Sequence, residues 1–516
     1  MIARHVAGRV LGVFGVMKIG RLRLMKSFHS LRMRDLLRDL SVLRLSPQLS
    51  RCSSLLCVSM LTGCIPDAEI PSLAIDVPAV YTNGGTKRPA DPPKVEWWTS
   101  FHSAELNRFM QETNQNNYDI AASVGRIVQA DALARQTGAA LLPSLTAGDS
   151  ATRSQQPASV TNTGTGSFRR TTLQTTLTAS YEIDFWGKNR AAFQATEETA
   201  YAARWDRDTV ALSSLASTAS TYFAILGARE RVKLAQDNLR LSSNILAVIK
   251  NRVTVGTATS LQEAQQEALV ENLRASIPPL QQMADQDIAT LSILLGRAPE
   301  HVAVRGTAIA QQGMPRIAAG LPSEVILQRP DVQMAEAQLA SAHANLVSAR
   351  AAFFPSITLT GQGGFASAAL QSLFTPGAGL YSLAANLSQP IFDAGLLQAK
   401  FDQQKGIQDE LLADYRKSVL TAFSDVEKAL IALRDLAHQE DLLKQSLAAS
   451  QRAYDLSVDQ LNAGTLDIVT LLQTQQTLFT TKDTLSQVHL ARLQAAISLY
   501  QALGGGWVAA RTGGAT

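Results

Sequence analysis

Only three cysteines occur in 516 residues, at positions 52, 57 and 64, and none follows. A disulfide framework and a cysteine-based metal site are therefore excluded from everything beyond Cys64. The seven histidines are scattered, and His102, His301, His343, His438 and His489 form no ligand spacing. Aromatic residues make up 6% and charged residues 17%, the latter well under the roughly 25% usual for soluble domains. After position 64 no run of 18 apolar residues occurs, which argues against a helical membrane span in the body. Residues 1–63 hold 11 Lys and Arg against 2 Asp and Glu, so of a total of +4 the remainder carries −5. The basic character is confined to the N-terminus, and a nucleic-acid partner has no support. Gly361-Gln362-Gly363-Gly364 lies in a strand pattern with no helix opening after it, so it is not a phosphate loop. Glu197-Glu198 reads as a solvated helix face, and no nucleophile stands with a base. The expectation is a protein that is not an enzyme and needs no cofactor.

What is present begins with an address. Arg51 precedes the short apolar stretch from Leu55 to Leu61, which closes in Leu61-Thr62-Gly63-Cys64. A basic flank, an apolar core and small residues before a boundary describe a secretory signal. Residues 1–63 are read as that signal, with 1–32 lying upstream of the true start if translation begins at Met33. The four closing residues resemble the bacterial lipobox, which implies that Cys64 is lipidated as the first mature residue. Ile65 in place of Asp permits, by the same resemblance, transfer to the outer membrane. A lipid anchors a chain without spanning anything. Residues 64–93 form a Pro-rich leader, and Val95-Glu96-Trp97-Trp98 opens the body.

The body reads as a tandem repeat, 94–303 and 304–507, followed by a tail at 508–516. Leu142-Pro143-Ser144 matches Phe354-Pro355-Ser356 at an offset of 212 residues. Gly187 matches Gly395, Gly256-Thr257 matches Gly464-Thr465, and Leu295-Gly296 matches Leu503-Gly504, all at an offset of 208. Each repeat leads in with a helix, 104–138 and 322–350. Two stretches of alternating character follow, which predicts paired strands. In the clearest of them Leu173, Leu177, Ala179 and Tyr181 alternate with Gln174, Thr176, Thr178 and Ser180. Long proline-free stretches at 188–253 and 396–462 then carry heptad-spaced Leu and Val, which predicts coiled helices about 100 Å long. Each turns at a Gly-Thr and returns, the first return being kinked or broken at Pro278-Pro279.

Four strands cannot close a barrel, since the smallest closed bacterial barrels have about 8. Either the strands form a soluble sheet with a core on one face, or several chains pool them in a membrane. In the second case Leu173, Leu177, Ala179 and Tyr181 face lipid and the hydroxyl-bearing residues face a wet lumen.

At this point the sequence resembles the TolC/OprM-type outer-membrane efflux factors, in particular the NodT-like lipoproteins of resistance-nodulation-division systems. The resemblance rests on Leu61-Thr62-Gly63-Cys64, Trp97-Trp98, the stretch from Tyr181 to Lys188, Leu321-Pro322-Ser323-Glu324, Gln328-Arg329-Pro330-Asp331-Val332, Ala352-Phe353-Phe354-Pro355, Ala463-Gly464-Thr465 and the closing Ala502 to Trp507. It implies a mostly helical fold with a β-barrel part. A homotrimer would pool four transmembrane strands per chain into one 12-stranded barrel, continued by a periplasmic coiled-coil tunnel. It implies an outer-membrane channel of a tripartite pump, working with a periplasmic membrane-fusion adaptor and an inner-membrane pump. A protein-secretion duct and a lipid-tethered periplasmic scaffold remain alternatives. Mapping through Ala463-Gly464-Thr465 implies a gate with an apolar ring at Val469. The family's acidic position falls on Gln473, with Asp467 able to supply the acid or to cap a helix. Arg329-Pro330-Asp331 is read as a helix start.

Overall fold

Left-handed glycines set the skeleton. Gly187 (φ +80°), Gly256 (φ +76°) and Gly296 (φ +66°) recur 208 residues on as Gly395 (φ +85°), Gly464 (φ +75°) and Gly504 (φ +82°). A Cβ is penalised in that conformation, so these positions end and begin helices at little cost only as glycine. The computed structural model describes residues 68, 72–73, 81–82, 95–156, 168–306, 309–315, 317 and 329–506. The signal, Cys64, most of the leader, residues 318–328, Trp507 and the tail lie outside the described residues.

The elements are α1 (Ala104–Asn116), α2 (Tyr118–Gly138), β1 (Ser144–Gln156), β2 (Phe168–Ile183), α3 (Lys188–Thr254), α4 (Ser260–Leu294), α5 (Pro330–Ala351), β3 (Ser356–Ser367), β4 (Gly379–Ser388), α6 (Leu396–Asn462) and α7 (Ile468–Ala502). The long helices α3 and α6 are 67 residues each, and the return helices α4 and α7 are 35 each. Every boundary of the four therefore repeats at 208 residues.

Two expectations need correction. The first lead-in is two helices, because Asn117 interrupts it. The Asn117 Oδ1 accepts the backbone N–H groups of Asp119 (2.9 Å) and Ile120 (3.1 Å), capping α2, while its Nδ2 donates to the Leu294 carbonyl. The first return helix is not broken at Pro278-Pro279; α4 runs through both. These prolines are on an exposed stretch, where water can satisfy the carbonyls that lose their partners. Part of α3 is apolar and long enough to pass for a membrane span, but that stretch is mostly buried in the protein.

Besides a small cluster of Ile249, Leu461, Ile468 and Leu471 near the Gly-Thr turns, two larger apolar cores hold the helices. One gathers Trp97, Trp98, Phe101, Phe109, Tyr222, Phe223, Leu291 and Tyr500, with Trp97 stacked on Tyr500 at 5.1 Å. The other joins Val332 and Leu339 of α5 to Val419 and Val426 of α6 and Leu499 of α7, and Tyr81 of the leader packs into it. At its edge Arg329 is buried, bonded to Asp331 (2.6 and 2.9 Å), Asp425 (3.3 Å) and the Ala502 carbonyl (3.3 Å). Pro330 is the first residue of α5, and the Arg329-Pro330-Asp331 stretch is the helix start expected of it.

Candidate functional site

The four strands form one antiparallel sheet in the order β1-β2-β3-β4. Its register decides which side chains share a face. Ala147 lies opposite Leu177, Leu177 opposite Gly363, and Gly363 opposite Tyr381. By the same pairing Leu145, Ala179, Gly361 and Leu383 form a row, as do Tyr181, Leu359 and Ala385, and Ile183, Ile357 and Leu387. Leu173 falls on the same face. The opposite face presents Ser144, Thr146, Thr176, Thr178, Ser180, Thr358, Thr360 and Ser382. Alternation alone thus sorts the sheet into an apolar side and a hydroxyl side.

The apolar side has no core of its own. Leu145, Leu177, Leu359, Tyr381, Leu383 and Leu387 are all exposed, Tyr381 by 85%. The sheet's main contacts are between its own strands. That removes the support for a soluble sheet, which needs its apolar face covered. Among the described residues the outer edges of β1 and β4 have no neighbouring strand.

Below the sheet lies a girdle of aromatic residues. Trp186 stacks on Phe354 at 4.5 Å, meets exposed Phe185 edge-on, and donates its indole N–H to the Pro355 carbonyl (2.9 Å), while Ile391 and Phe392, just after β4, are also exposed. Aromatic side chains of this kind favour a membrane–water boundary. The long helices start immediately beyond. Asp184 accepts the N–H groups of Asn189 and Arg190, and Asp393 those of Gly395 and Leu397. These donors, Leu397 foremost, hold the Asp393 carboxyl below its ordinary value.

At the far end the two turns are built alike. Gly256 and Gly464 are left-handed, and the N–H groups of Thr257 and Thr465 bond to the carbonyls of Arg252 (2.8 Å) and Gln460 (2.9 Å). Each threonine hydroxyl bonds to the same carbonyl. The Gly-Thr pairs are therefore C-terminal caps. The following N-caps differ. Thr259 and Gln262 form a reciprocal capping box, whereas Asp467, its counterpart, makes no side-chain cap bond.

The first turns of α7 have two distinct faces. Ile468, Leu471, Gln475 and Leu478 are buried, while Val469 (38% exposed) and Gln473 share the exposed face one turn apart. Sequence reasoning missed what fastens the buried face. Gln475 Nε2 donates to Asn238 Oδ1 (2.9 Å) and Ser242 Oγ (2.5 Å) on α3, and Gln266 Nε2 of α4 donates to the Ser242 carbonyl (2.7 Å). Further along, Arg231 of α3 meets Asp483 of α7 through two bonds of 2.7 and 3.2 Å. Between α6 and α7, buried Glu440 binds Lys444 (2.8 Å) and Arg492 (2.8 Å), with His489 at 3.4 Å. Burial raises its pKa, but Lys444, Arg492 and His489 outweigh this and bring it to about 2. Among the described residues no group of His, Cys, Asp and Glu could hold a metal.

Residues 109–297 and 321–505 match the model of the outer membrane efflux protein family. The chain belongs to that family. It is 39% identical over 422 residues to the pyoverdine export outer membrane protein OpmQ of Pseudomonas aeruginosa, covering 81% of this chain and 89% of that one. It is 32% identical to the toluene efflux pump outer membrane protein TtgF of Pseudomonas putida, covering 87% and 95%. Among solved structures, a membrane protein from Pseudomonas aeruginosa superposes with a TM-score of 0.79 at 29% identity, covering 86% of this chain and 97% of that one. The open state of the Neisseria gonorrhoeae MtrE outer membrane channel gives 0.75 at 28%, covering 86% and 98%. This efflux family member is an outer-membrane channel of the tripartite type, mostly helical, with a sheet built for a barrel.

Proposed function

We propose that the chain is a lipid-anchored passive exit duct for small molecules, assembled as a homotrimer. The observation that carries this reading is the open sheet, with its exposed apolar face and two edges that no strand pairs among the described residues. Lipid cannot satisfy a strand edge, so β1 of one copy pairs with β4 of the next until the ring closes. Leu173, Leu177, Ala179 and Tyr181 then face lipid, and Thr176 and Thr178 face the lumen. The two repeats, 94–303 and 304–507, supply equivalent walls of a periplasmic tunnel. Its far end meets a membrane-fusion adaptor, and a resistance-nodulation-division pump in the inner membrane supplies the energy. The duct performs no catalysis and needs no cofactor. Cys64, lipidated, adds an anchor that the barrel does not depend on.

The tunnel must be shut at rest. The gate lies at the exposed face of α7, with Val469 as the apolar constriction and Gln473 one turn deeper. Three symmetry-related glutamines bond to each other without charge, so this gate is less cation-selective than a ring of aspartates. Asp467, with no cap bond of its own, stands at the mouth as the nearest acid. Single-channel recording tests the reading. Val469→Ala raises the resting conductance, and Gln473→Asp raises cation preference. Unchanged conductance and ion preference in both would place the constriction elsewhere, and absence of any conductance in the wild type would leave a scaffold instead of a duct.

A further inference from the structure

Above the apolar rows the first hairpin changes character. On β2 the apolar face runs from Ile183 up to Leu173, ten residues, or about 33 Å along the strand and about 25 Å after the usual barrel tilt. That is the height of a bilayer's hydrocarbon band as barrels meet it. The next two rows on the same face are Arg153 opposite Thr171 and Gln155 opposite Arg169. Arg169 Nε donates to Gln155 Oε1 at 2.9 Å, which aims its guanidinium along that face. Arg153 is its diagonal neighbour, a separation of roughly 7–8 Å between backbones in such sheets.

Nothing acidic balances this pair. From Ser150 to Thr172 the sequence holds Arg153, Arg169 and Arg170 and no Asp or Glu, and from Ser356 to Ser388 the second hairpin holds no charged residue at all. The one acid on the apolar face is Asp149, four residues below Arg153 and so about 13 Å away. The three arginines are therefore the only charges at this end of the sheet among the described residues. Arg170 points to the opposite, hydroxyl-bearing face.

We propose that Arg153 and Arg169 form a two-arginine clamp for phosphate groups on lipid headgroups of the outer leaflet. The inference rests on the lipid-facing assignment made above. Three features favour a lipid headgroup as the source of the phosphate. The clamp caps the face that carries the apolar rows, on which Asp149 and Thr175 form one polar row between Leu177 and Leu173. It stands at the height where hydrocarbon ends and headgroups begin. Arginine's planar fork also grips phosphate through paired bonds in a way that a diffuse positive potential does not. Bound headgroups would fix the vertical position of the barrel.

The test uses the assembled full-length channel in nanodiscs of phosphatidylcholine doped with a bisphosphorylated glycolipid or its dephosphorylated form, with retained glycolipid counted by native mass spectrometry. The wild type should prefer the phosphorylated form by about tenfold or more, and Arg153→Gln with Arg169→Gln should abolish the preference. Arg170→Gln, on the other face of the same hairpin, should leave it intact. If the double variant keeps the preference, or Arg170→Gln removes as much of it, the clamp does not exist and the mouth merely attracts anions. A spin label at Leu177→Cys, compared with one at Thr176→Cys, separates the two levels of the argument. Oxygen should reach the first and an aqueous nickel chelate the second. The reverse pattern would overturn the face assignment and the clamp together, whereas the expected pattern without a phosphate preference would overturn the clamp alone.

Discussion

A methyl group added at Gly364 would lie 2.1 Å from the Thr175 carbonyl oxygen and 2.8 Å from the Thr176 Cα, whereas one added at neighbouring Gly363 would meet nothing within 4 Å. Both contacts at Gly364 are backbone, so no side chain can swing aside. Reaching even the tightest tolerable separation of 3.0 Å requires β3 to move by roughly 0.9 Å relative to β2. Overpacking of that kind costs about 1–3 kcal/mol. Stretching two ladder bonds adds about 1 kcal/mol each. Gly364→Ala is therefore expected to destabilise the sheet by about 3–5 kcal/mol per chain. The site matters because β2 and β3 are where the hairpins of the two repeats join, and a lone two-stranded hairpin is marginal. The assay is the temperature at which the oligomer in isolated outer membranes dissociates in detergent, read on a gel. Gly364→Ala should lower it sharply or prevent assembly, while Gly363→Ala should behave as wild type. Equal melting of Gly364→Ala and wild type would mean that the close approach of the two strands is not a feature of the folded channel.

The sheet's two faces should answer differently to charge: Leu177→Arg should cost about 2–4 kcal/mol near the bilayer midplane and Thr176→Arg much less, and equal yields of assembled channel would reject the register. Glu440 has a folded-state pKa of about 2 against an ordinary 4.5, so its contribution is present in full above pH 4.5 and is lost as pH falls toward 2. Glu440→Gln should accordingly melt well below wild type at pH 7, with the gap closing on acidification, and a gap that stays constant down to pH 2.5 would show that the carboxylate's charge is not what holds α6 to α7. Cys64→Ala should yield a chain without acyl groups by mass spectrometry yet with a conducting barrel, and loss of conductance would make the anchor essential to assembly.

Much of this architecture is written locally and so was legible. The absence of proline and the heptad spacing gave α3 and α6 to within a residue, and the Gly-Thr pairs marked both far turns. Period-two alternation sorted the faces of β2 before any partner strand was known. What escaped falls into two kinds. Asn117 carried a readable signal, a capping residue followed by Asp119, but the apolar periodicity on both sides masked it. The fastening of α7 had no local signal, because Gln475 and Ser242 are 233 residues apart and a buried glutamine looks like any other in a polar helix. Pro278-Pro279 was overweighted because a proline's cost depends on whether water can reach the orphaned carbonyls, which is a property of the packed helix and not of the dipeptide.

The equal lengths of the two helical hairpins restrict how this chain can change. Adding one residue to α3 alone would turn everything beyond it by about 100° and displace it by about 1.5 Å. Placed before Arg231, such an insertion would swing that guanidinium away from Asp483 and strand Ser242 and Asn238 opposite the wrong face of α7. It would also leave one far turn out of level with the other. Growth or shrinkage of the helices is tolerable only as concerted edits, in both halves and on both limbs, that preserve phase. The strand end is under no such coupling: between Pro143 and Pro355 the spacing is already 212 residues instead of 208. The two halves of the chain are thus free to diverge where they meet the outside and locked in step where they run to the far turns.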